Sequence, residues 1–334
     1  MSINTLCHQN TVLVTNPKCG LNHSLPCLLL IMVSYKVKPM IINALMGGGK
    51  GMIEFLRYSD FDLFKQDVVP LLESDEIKNN LPLGVLLNLA PGRIPLYMAT
   101  VSKDGIPLFV LLQTNQYQLI VSKLSEISSQ EIAQVVDKLY KHLVNVNEIV
   151  GEECVVELLA EKMAEKLGCQ TYVKMLQGVY GLRHLKKRAD FGHGQLEMAT
   201  EKDADWLYEW FVQFGDDTLL PVSKEEAAQL VRGAIDRKQL YLWVADRQPV
   251  SMARITRPTK TNAAISWVYT PPEKRNRGYA TNVVTALTEH LLNSGYQTVS
   301  LFTDLANPTS NKIYREIGFE QLSSSVVMSF ERNK

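Results

Sequence analysis

Two short segments carry residue types whose spacing could do chemistry. In the first, Val268-Tyr269-Thr270-Pro271-Pro272-Glu273-Lys274-Arg275-Asn276-Arg277-Gly278-Tyr279-Ala280, a buried strand runs out, prolines end its pairing, and a basic turn opens a helix. The helix is amphipathic, with Ala280, Val283, Val284, Leu287 and Leu291 on one face. Its first amides have no partner within the helix and carry partial positive charge, which suits a phosphate or pyrophosphate. Gly278 removes a side chain where a ligand must come close, and Arg275 and Arg277 add charge-assisted donors. The second segment, Asp304 to Phe319, follows a strand about thirty residues on. Asn307 and Pro308 make a good cap and first turn for a helix, and Gly318 is a good stop.

Arg275-x-x-Gly278-x-Ala280 resembles the Gln/Arg-x-x-Gly-x-Gly/Ala pyrophosphate signature of the GCN5-related N-acetyltransferase (GNAT) superfamily. Asn307…Tyr314…Gly318-Phe319 resembles that family's later motif, in the right order and at the right distance. The resemblance covers about 130 residues, roughly Gln195 to Arg332, and speaks to donor and reaction type rather than to acceptor. It implies an α/β chain with a mixed α+β sheet and acetyl-CoA as acyl donor. The acceptor it implies is a primary amine of a small molecule, amino acid or peptide, which attacks directly. Carried over residue by residue, it assigns Val268, Tyr269, Thr270, Arg275, Asn276, Arg277, Gly278, Tyr279, Ala280 and Thr281 to donor binding. Asn307 matches the position that contacts the CoA arm, and Tyr314 the tyrosine near the thioester sulfur. The backbone N–H at the end of the Val268–Thr270 strand is the family's donor to the thioester oxygen. A splayed strand there would hold the pantetheine arm like an added strand.

Chemistry bounds these roles. An attacking amine with a pKa near ~10.4 is neutral in roughly one molecule in a thousand at pH 7, so a base or a water path is useful. Tyr314 is the candidate general acid, but a phenol near ~10 is a weaker acid than a thiol near ~8.5, so full transfer is uphill by about 2 kcal/mol. It can serve by stabilising the thiolate. Many relatives place a glutamate on the strand entering the site, whereas Thr261 to Thr270 contains no carboxylate. The sequence names no general base; Asp304, at a strand end, could serve, but it reads first as a turn residue. His290 falls late on the helix and reads as surface; His193, between glycines, gives no ligand pattern, and no metal site is indicated. Trp206, Trp210, Phe211 and Phe214 cluster on one predicted helix, where core packing and an aromatic acceptor pocket both explain them. The missing strand carboxylate keeps a second reading open, a non-catalytic acyl-CoA-binding regulatory module.

The positioning elements follow from periodicity. From Met52, strands are expected at Leu83–Ala90, Leu96–Val101 and Pro107–Val121, helices at Ser129–Val144 and Cys154–Leu167, and a strand at Thr171–Leu185. The polar connector Lys186–Gly194 is the best boundary. Beyond it come a strand at Leu196–Thr200, helices at Glu201–Phe214 and Glu225–Arg237, and strands at Tyr241–Asp246, Val250–Thr256 and Ala263–Thr270. A helix at Gly278–Asn293, a strand at Thr298–Thr303, a helix at Pro308–Ile317 and a strand at Ser325–Glu331 complete the series. Three regions result: a leader at 1–51, a degenerate GNAT-like half at 52–190, and an equipped half at 195–334. The halves share an order of elements, which points to a duplicated fold. The first lacks both motifs and is expected to support: covering apolar surface, bordering the acceptor site, or forming a homodimer contact.

Bulk properties narrow the partners. Thirty-five basic residues balance thirty-five acidic ones in 334, so no broad electrostatic footprint for nucleic acid exists. The five cysteines (Cys7, Cys19, Cys27, Cys154, Cys169) form no CxxC pair or zinc-like spacing and read as thiols of a reducing cytoplasm. The longest apolar run, Leu25–Val33, falls short of the ~20 residues that span a bilayer, and its flanks do not fit a secretion signal. Residues 1–51 hold Lys18, Lys36, Lys38 and Lys50 but no Asp, Glu or Arg, and no sustained period, so disorder is expected. Gly47–Gly51 is not a phosphate loop, because Ala44 replaces the first glycine and Gly51 follows Lys50. Purine-rich Gly and Lys codons make that run a candidate translated ribosome-binding site of a bacterial gene, with Met52 as the start. A dinucleotide-binding oxidoreductase would need Gly-x-Gly-x-x-Gly after an early strand, which is absent.

Overall fold

The computed structural model describes residues 51–142, 146–186, 194–218 and 220–331. The expectations for the leader up to Lys50, for most of the connector and for His193 lie outside the described residues. The first half runs β1 (Ile53–Arg57), α1 (Phe61–Leu72), α2 (Asn80–Leu87), β2 (Tyr97–Lys103), β3 (Ile106–Gln113), β4 (Gln118–Lys123), α3 (Ser129–Leu139), β5 (Glu148–Glu152), α4 (Glu153–Leu167) and β6 (Gln170–Leu182). The second half repeats that order: β7 (Gly194–Met198), α5 (Ala204–Asp217), α6 (Lys224–Asp236), β8 (Leu240–Ala245), β9 (Gln248–Thr256), β10 (Asn262–Tyr269), α7 (Tyr279–Asn293), β11 (Thr298–Asp304), α8 (Pro308–Ile317) and β12 (Glu320–Glu331). The mixed α/β class expected from the sequence holds, and the duplicated order is visible element by element.

All twelve strands join one sheet in the order β1-β2-β3-β4-β5-β12-β6-β11-β10-β9-β8-β7. Neighbours are antiparallel except β4 with β5 and β10 with β11, the two parallel pairs bridged by α3 and α7. The centre of this order shows an exchange. The last strand of each half crosses into the other: β12 lies against β5, and β6 lies against β11. The two exchanged strands then pair with each other along most of their length. Side chains follow the backbone. Val326, Met328 and Phe330 of β12 are buried among α3 and α4 of the first half, while Tyr180 and Leu182 of β6 are buried with Tyr314 and Phe319 of the second. Helices cover both faces of each half, α3 and α4 opposite α1 and α2, and α7 and α8 opposite α5 and α6. Among the described residues, no helix is long and apolar enough to cross a membrane.

Two expectations for the first half need correction, and one helix was not expected at all. Leu83–Ala90 is not a strand; Leu83 to Leu87 belong to α2, which buries Pro82, Leu83, Gly84 and Leu86, and Asn88 to Ala90 leave it. A short run that is apolar on every side lacks the period that separates a buried strand from a buried helix. Pro107–Val121 is two strands, because Asn115 turns the chain by accepting the Tyr117 and Gln118 amides at 2.9 Å each. Helix α1, unforeseen, starts where Asp60 Oδ1 accepts the Leu63 amide at 3.0 Å and continues through Pro70, a residue that argues against helix when read locally.

Two buried phenols in this half carry a pH dependence. Burial pushes both Tyr58 and Tyr97 from 10.0 up to about 12. The unfolded chain therefore loses these protons near pH 10 while the folded chain keeps them, so stability falls as pH rises from 10 towards 12. Each group accounts for up to about 3 kcal/mol of that loss. Denaturant midpoints are expected to stay flat from pH 7 to about 9.5 and then drop, with a shallower drop in the Tyr58→Phe, Tyr97→Phe double variant. A midpoint that stays constant to pH 12 would show the phenols to be solvated.

Candidate functional site

Strand β10 follows β11 only from Asn262 to Ile265, opposite Thr298 to Leu301, and the two then part. On its other side, the pairing with β9 shifts register between Ser266 and Tyr269, where Trp267 takes a φ of +54°. This is the splay expected beside Val268, Tyr269 and Thr270. Ser251 pins the strand end, its Oγ donating to the Tyr269 carbonyl at 2.9 Å and meeting Thr270 Oγ1 at the same distance.

A single turn at Pro272–Lys274 then leads to Asn276 and Gly278, whose φ values are +61° and +78°. Gly278 is the residue before α7, and it has no side chain with which to cap it. The first helical bond runs from the Asn282 amide to the Gly278 carbonyl at 3.0 Å, which leaves the amides of Tyr279, Ala280 and Thr281 free of intrahelical partners. A Cβ built on Gly278 would meet nothing within 4 Å outside its chain neighbours, so the space beside the residue that precedes α7 is open. Arg277 is exposed and has no ion pair among the described residues. Arg275 is engaged instead: its Nε donates to the Thr270 carbonyl at 2.9 Å, and its Nη2 pairs with Asp217 at 2.5 Å. Its guanidinium thereby ties the turn to β10 and to the end of α5.

The matching position in the first half is closed. Helix α3 follows β4 as α7 follows β10, but Ser128 and Glu131 form a capping box across its start. Hydrogen bonds from Lys103 and Ser128 hold the Glu131 carboxyl down at about 2. The start of α3 thus spends its cap amides on its own side chains, Ser128 Oγ accepting the Glu131 amide and the Glu131 carboxylate accepting the Ser128 amide, unlike the start of α7.

In the second segment Asn307 caps α8, its Oδ1 accepting the Ser310 amide at 3.1 Å. Buried Asn311 braces the same loop, donating to the carbonyls of Asp304 at 3.0 Å and Asn307 at 2.7 Å. Tyr314 is 8% exposed and stacks edge-on against Phe319, with ring centres 6.1 Å apart. Burial pushes its phenol up to about 12, partly offset by a hydrogen bond with Ser310.

The remaining candidates separate cleanly. Asp304 Oδ1 accepts the Ala306 amide at 2.8 Å, the turn role expected of it. His290 lies twelve residues beyond Gly278 along α7, about 18 Å away, and contacts Tyr241 at 3.3 Å. Of the aromatic cluster, Phe211 is buried in the α5–α6 core, while Trp206, Trp210 and Phe214 pack partly buried around it. Trp210 meets Tyr269 edge-on at 6.0 Å and Phe211 meets Trp267 at 4.2 Å, so these rings also back the splayed strand. No group of three or more His, Cys, Asp or Glu side chains that could hold a metal ion occurs among the described residues. Residues that sequence reasoning did not single out lie on the α5–α6 face of β9 and β10: Arg254, Ser266 and, just past the strand, Arg257. The available signal was two arginines near the end of an apolar strand.

Residues 204–319 match the model of the acetyltransferase (GNAT) family. No curated protein matches the chain at a significant level. Among solved structures, a GCN5-related N-acetyltransferase from Sphaerobacter thermophilus is similar at a TM-score of 0.57 and 13% identity, covering 84% of this chain and 96% of its own. A GNAT-family acetyltransferase from Colwellia psychrerythraea is similar at 0.53 and 15% identity, covering 84% of this chain and 100% of its own. A tandem GNAT protein from the clavulanic acid biosynthesis pathway is similar at 0.51 and 13% identity, covering 85% and 100%. At these identities the likeness is one of fold, and it extends over both halves.

Proposed function

We propose that this protein, whose residues 204–319 match the acetyltransferase (GNAT) family model, moves an acetyl group from acetyl-CoA to a primary amine by direct attack. The observation that carries the reading is the uncapped start of α7, with three amides free of intrahelical partners beside an unobstructed Gly278. A diphosphate fits there, taking hydrogen bonds from the amides of Tyr279, Ala280 and Thr281 and charge from Arg277. Asn276 and Arg275 hold the turn in shape, the latter through Asp217. Val268, Tyr269 and Thr270 line the splay, where a backbone N–H would stabilise charge growing on the thioester oxygen. Asn307, which caps α8, would border the pantetheine arm.

Tyr314 acts on the leaving side. A phenol near 12 against a thiol near ~8.5 makes full proton transfer uphill by about 5 kcal/mol, more than an unshifted tyrosine would face. Tyr314 therefore stays protonated and donates a hydrogen bond to the departing thiolate. The turn bond that occupies Asp304, together with a strand lacking carboxylates, favours a solvent path for the amine proton and keeps the regulatory acyl-CoA-binding module as the rival reading.

The test pairs purified protein and acetyl-CoA with a thiol-detecting dye and a panel of small amines, amino acids and peptides. Thiol release that depends on an amine is the expected result. Tyr314→Phe should lower turnover roughly 100- to 1,000-fold, the range for loss of a charge-stabilising donor, while acetyl-CoA affinity stays within about twofold. Unchanged turnover would remove Tyr314 from the mechanism, and tight acetyl-CoA binding without release from any amine would favour the regulatory module.

A further inference from the structure

Three polar atoms on one face of the second half are buried without a hydrogen-bond partner: Nε of Arg254, Nε of Arg257 and Oγ of Ser266. They are neighbours by register. Arg254 on β9 stands directly opposite Ser266 on β10, and Arg257 follows the end of β9. Arg254 lies 4.2 Å above the Trp267 ring and uses one amine on Gln239 at 3.2 Å; Arg257 lies 4.7 Å above the Phe302 ring. Neither guanidinium has an ion pair among the described residues. Burial first, then the field of a neighbouring arginine, pushes both down to about 10, so both remain cations at neutral pH.

Two sheltered cations without a counter-ion are costly to keep, and the surrounding structure holds them in place. Arg257 takes a φ of +46° immediately before Pro258, and α2 of the first half clamps it there. Asn80 Nδ2 donates to the Arg257 carbonyl at 3.1 Å. A Cβ on Gly84 would fall 2.3 Å from the Arg257 Cβ, so the helix comes this close only because Gly84 lacks one. The location is equally specific. Ser266 is the first residue of β10 beyond its last pair with β11, at the mouth of the splay. Arg254 and Trp267 face α5 and α6, on the opposite side of the sheet from α7.

We propose that Arg254, Arg257 and Ser266 form an oxyanion subsite for the acceptor, which makes the acceptor a small amine carrying a carboxylate, as an amino acid does. The inference rests on the acetyl-transfer reading, because it places the acceptor on the face opposite the diphosphate. The guanidiniums of Arg254 and Arg257, near enough that the charge of the first acts on the second, can engage a carboxylate with charge-assisted hydrogen bonds, Ser266 supplies a further donor, and the anion neutralises a field that no ion pair among the described residues offsets. The first half then has a specific duty, since α2 sets the position of Arg257.

The experiment has two readouts on the full-length protein. In the turnover assay, β-alanine is expected to exceed propylamine in kcat/KM by ~100-fold or more, the scale of losing a sheltered charge partner, and Arg257→Gln should erase most of that ratio through KM. Phosphoethanolamine against ethanolamine is the second arm: a preference there that exceeds the carboxylate ratio would overturn the carboxylate assignment. In the binding readout, thermal melting with CoA present is followed while β-alanine, glutamate or the product-like N-acetylglycine is added. A carboxylate-dependent rise in Tm that is lost in Arg254→Gln and Arg257→Gln supports the subsite. The same Tm response in wild type and both variants overturns it, whether or not any amine is acetylated. Absence of acetylation with acetyl-CoA bound speaks against the transfer reading alone. Without ligand, the variants are expected to melt at or above the wild-type temperature, because each removes an unpaired buried cation; a fall of several degrees in both would mark the arginines as structural.

Discussion

Replacing Gly278 with valine is expected to raise the Kd for acetyl-CoA at least ~100-fold while the protein stays folded. Three free amides at the start of α7 would each give a charged diphosphate a hydrogen bond worth about 1.5–3 kcal/mol, and losing two of them corresponds to roughly 10²- to 10⁴-fold. A valine side chain at this position would stand at the start of α7 beside those amides, in space where no atom outside the chain neighbours lies within 4 Å. The same emptiness protects the fold: the substitution adds strain from the left-handed φ of +78°, about 1–2 kcal/mol, but no clash. Titration calorimetry with acetyl-CoA and a thermal melt on the same sample separate the two effects. A Kd within threefold of wild type, in a folded variant, would place the diphosphate elsewhere. Arg275→Glu should weaken binding by a different route, since a carboxylate beside Asp217 repels it and releases the turn from β10.

Severing the two halves should have a still larger effect on stability. Fragments 52–186 and 194–331, produced separately, are each expected to lack a cooperative melting transition, and to regain one when mixed. The reason is the exchanged strands. The first fragment would lose Val326, Met328 and Phe330 from its core, and the second would lose Tyr180 and Leu182. Burying a large apolar side chain contributes about 1.5–3 kcal/mol, so the first loss alone, at roughly 5–9 kcal/mol, rivals the whole stability of an ordinary domain. Each fragment would also expose an unpaired sheet edge where a partner strand had been. Circular dichroism melts and sedimentation of the single and mixed fragments decide the matter. If 194–331 alone melts cooperatively and retains acetyl-CoA, the exchange is dispensable to the site.

The exchange also bears on why a half that lacks both motifs is present at all. It contributes β6 to the core beneath Tyr314, and its helix α2 fixes Arg257 from outside the second half. Its own helix start is closed by the capping box of Ser128 and Glu131.

What the sequence by itself determined is the chemistry that lives within one turn of backbone. A strand ended by prolines, a glycine before an amphipathic helix, and an asparagine-proline start for the next helix each act through neighbours a few residues away. Their outcome could therefore be read at α7 and α8 almost to the residue. The tertiary structure decided whatever depends on partners far along the chain. Arg275 was expected to face the ligand, yet Asp217, fifty-eight positions earlier, takes its guanidinium. Residues 83–90 looked like a strand because an apolar run buried on all sides carries no period, and only packing against the sheet makes it a helix. The crossing of β6 and β12 leaves no mark on either strand's own pattern, since a strand buried in one half has the same alternation as one buried in the other. The pairing of Arg254 with Ser266, and the approach of α2 to Arg257 through Gly84, arise from register and crossover between elements that local propensity cannot relate.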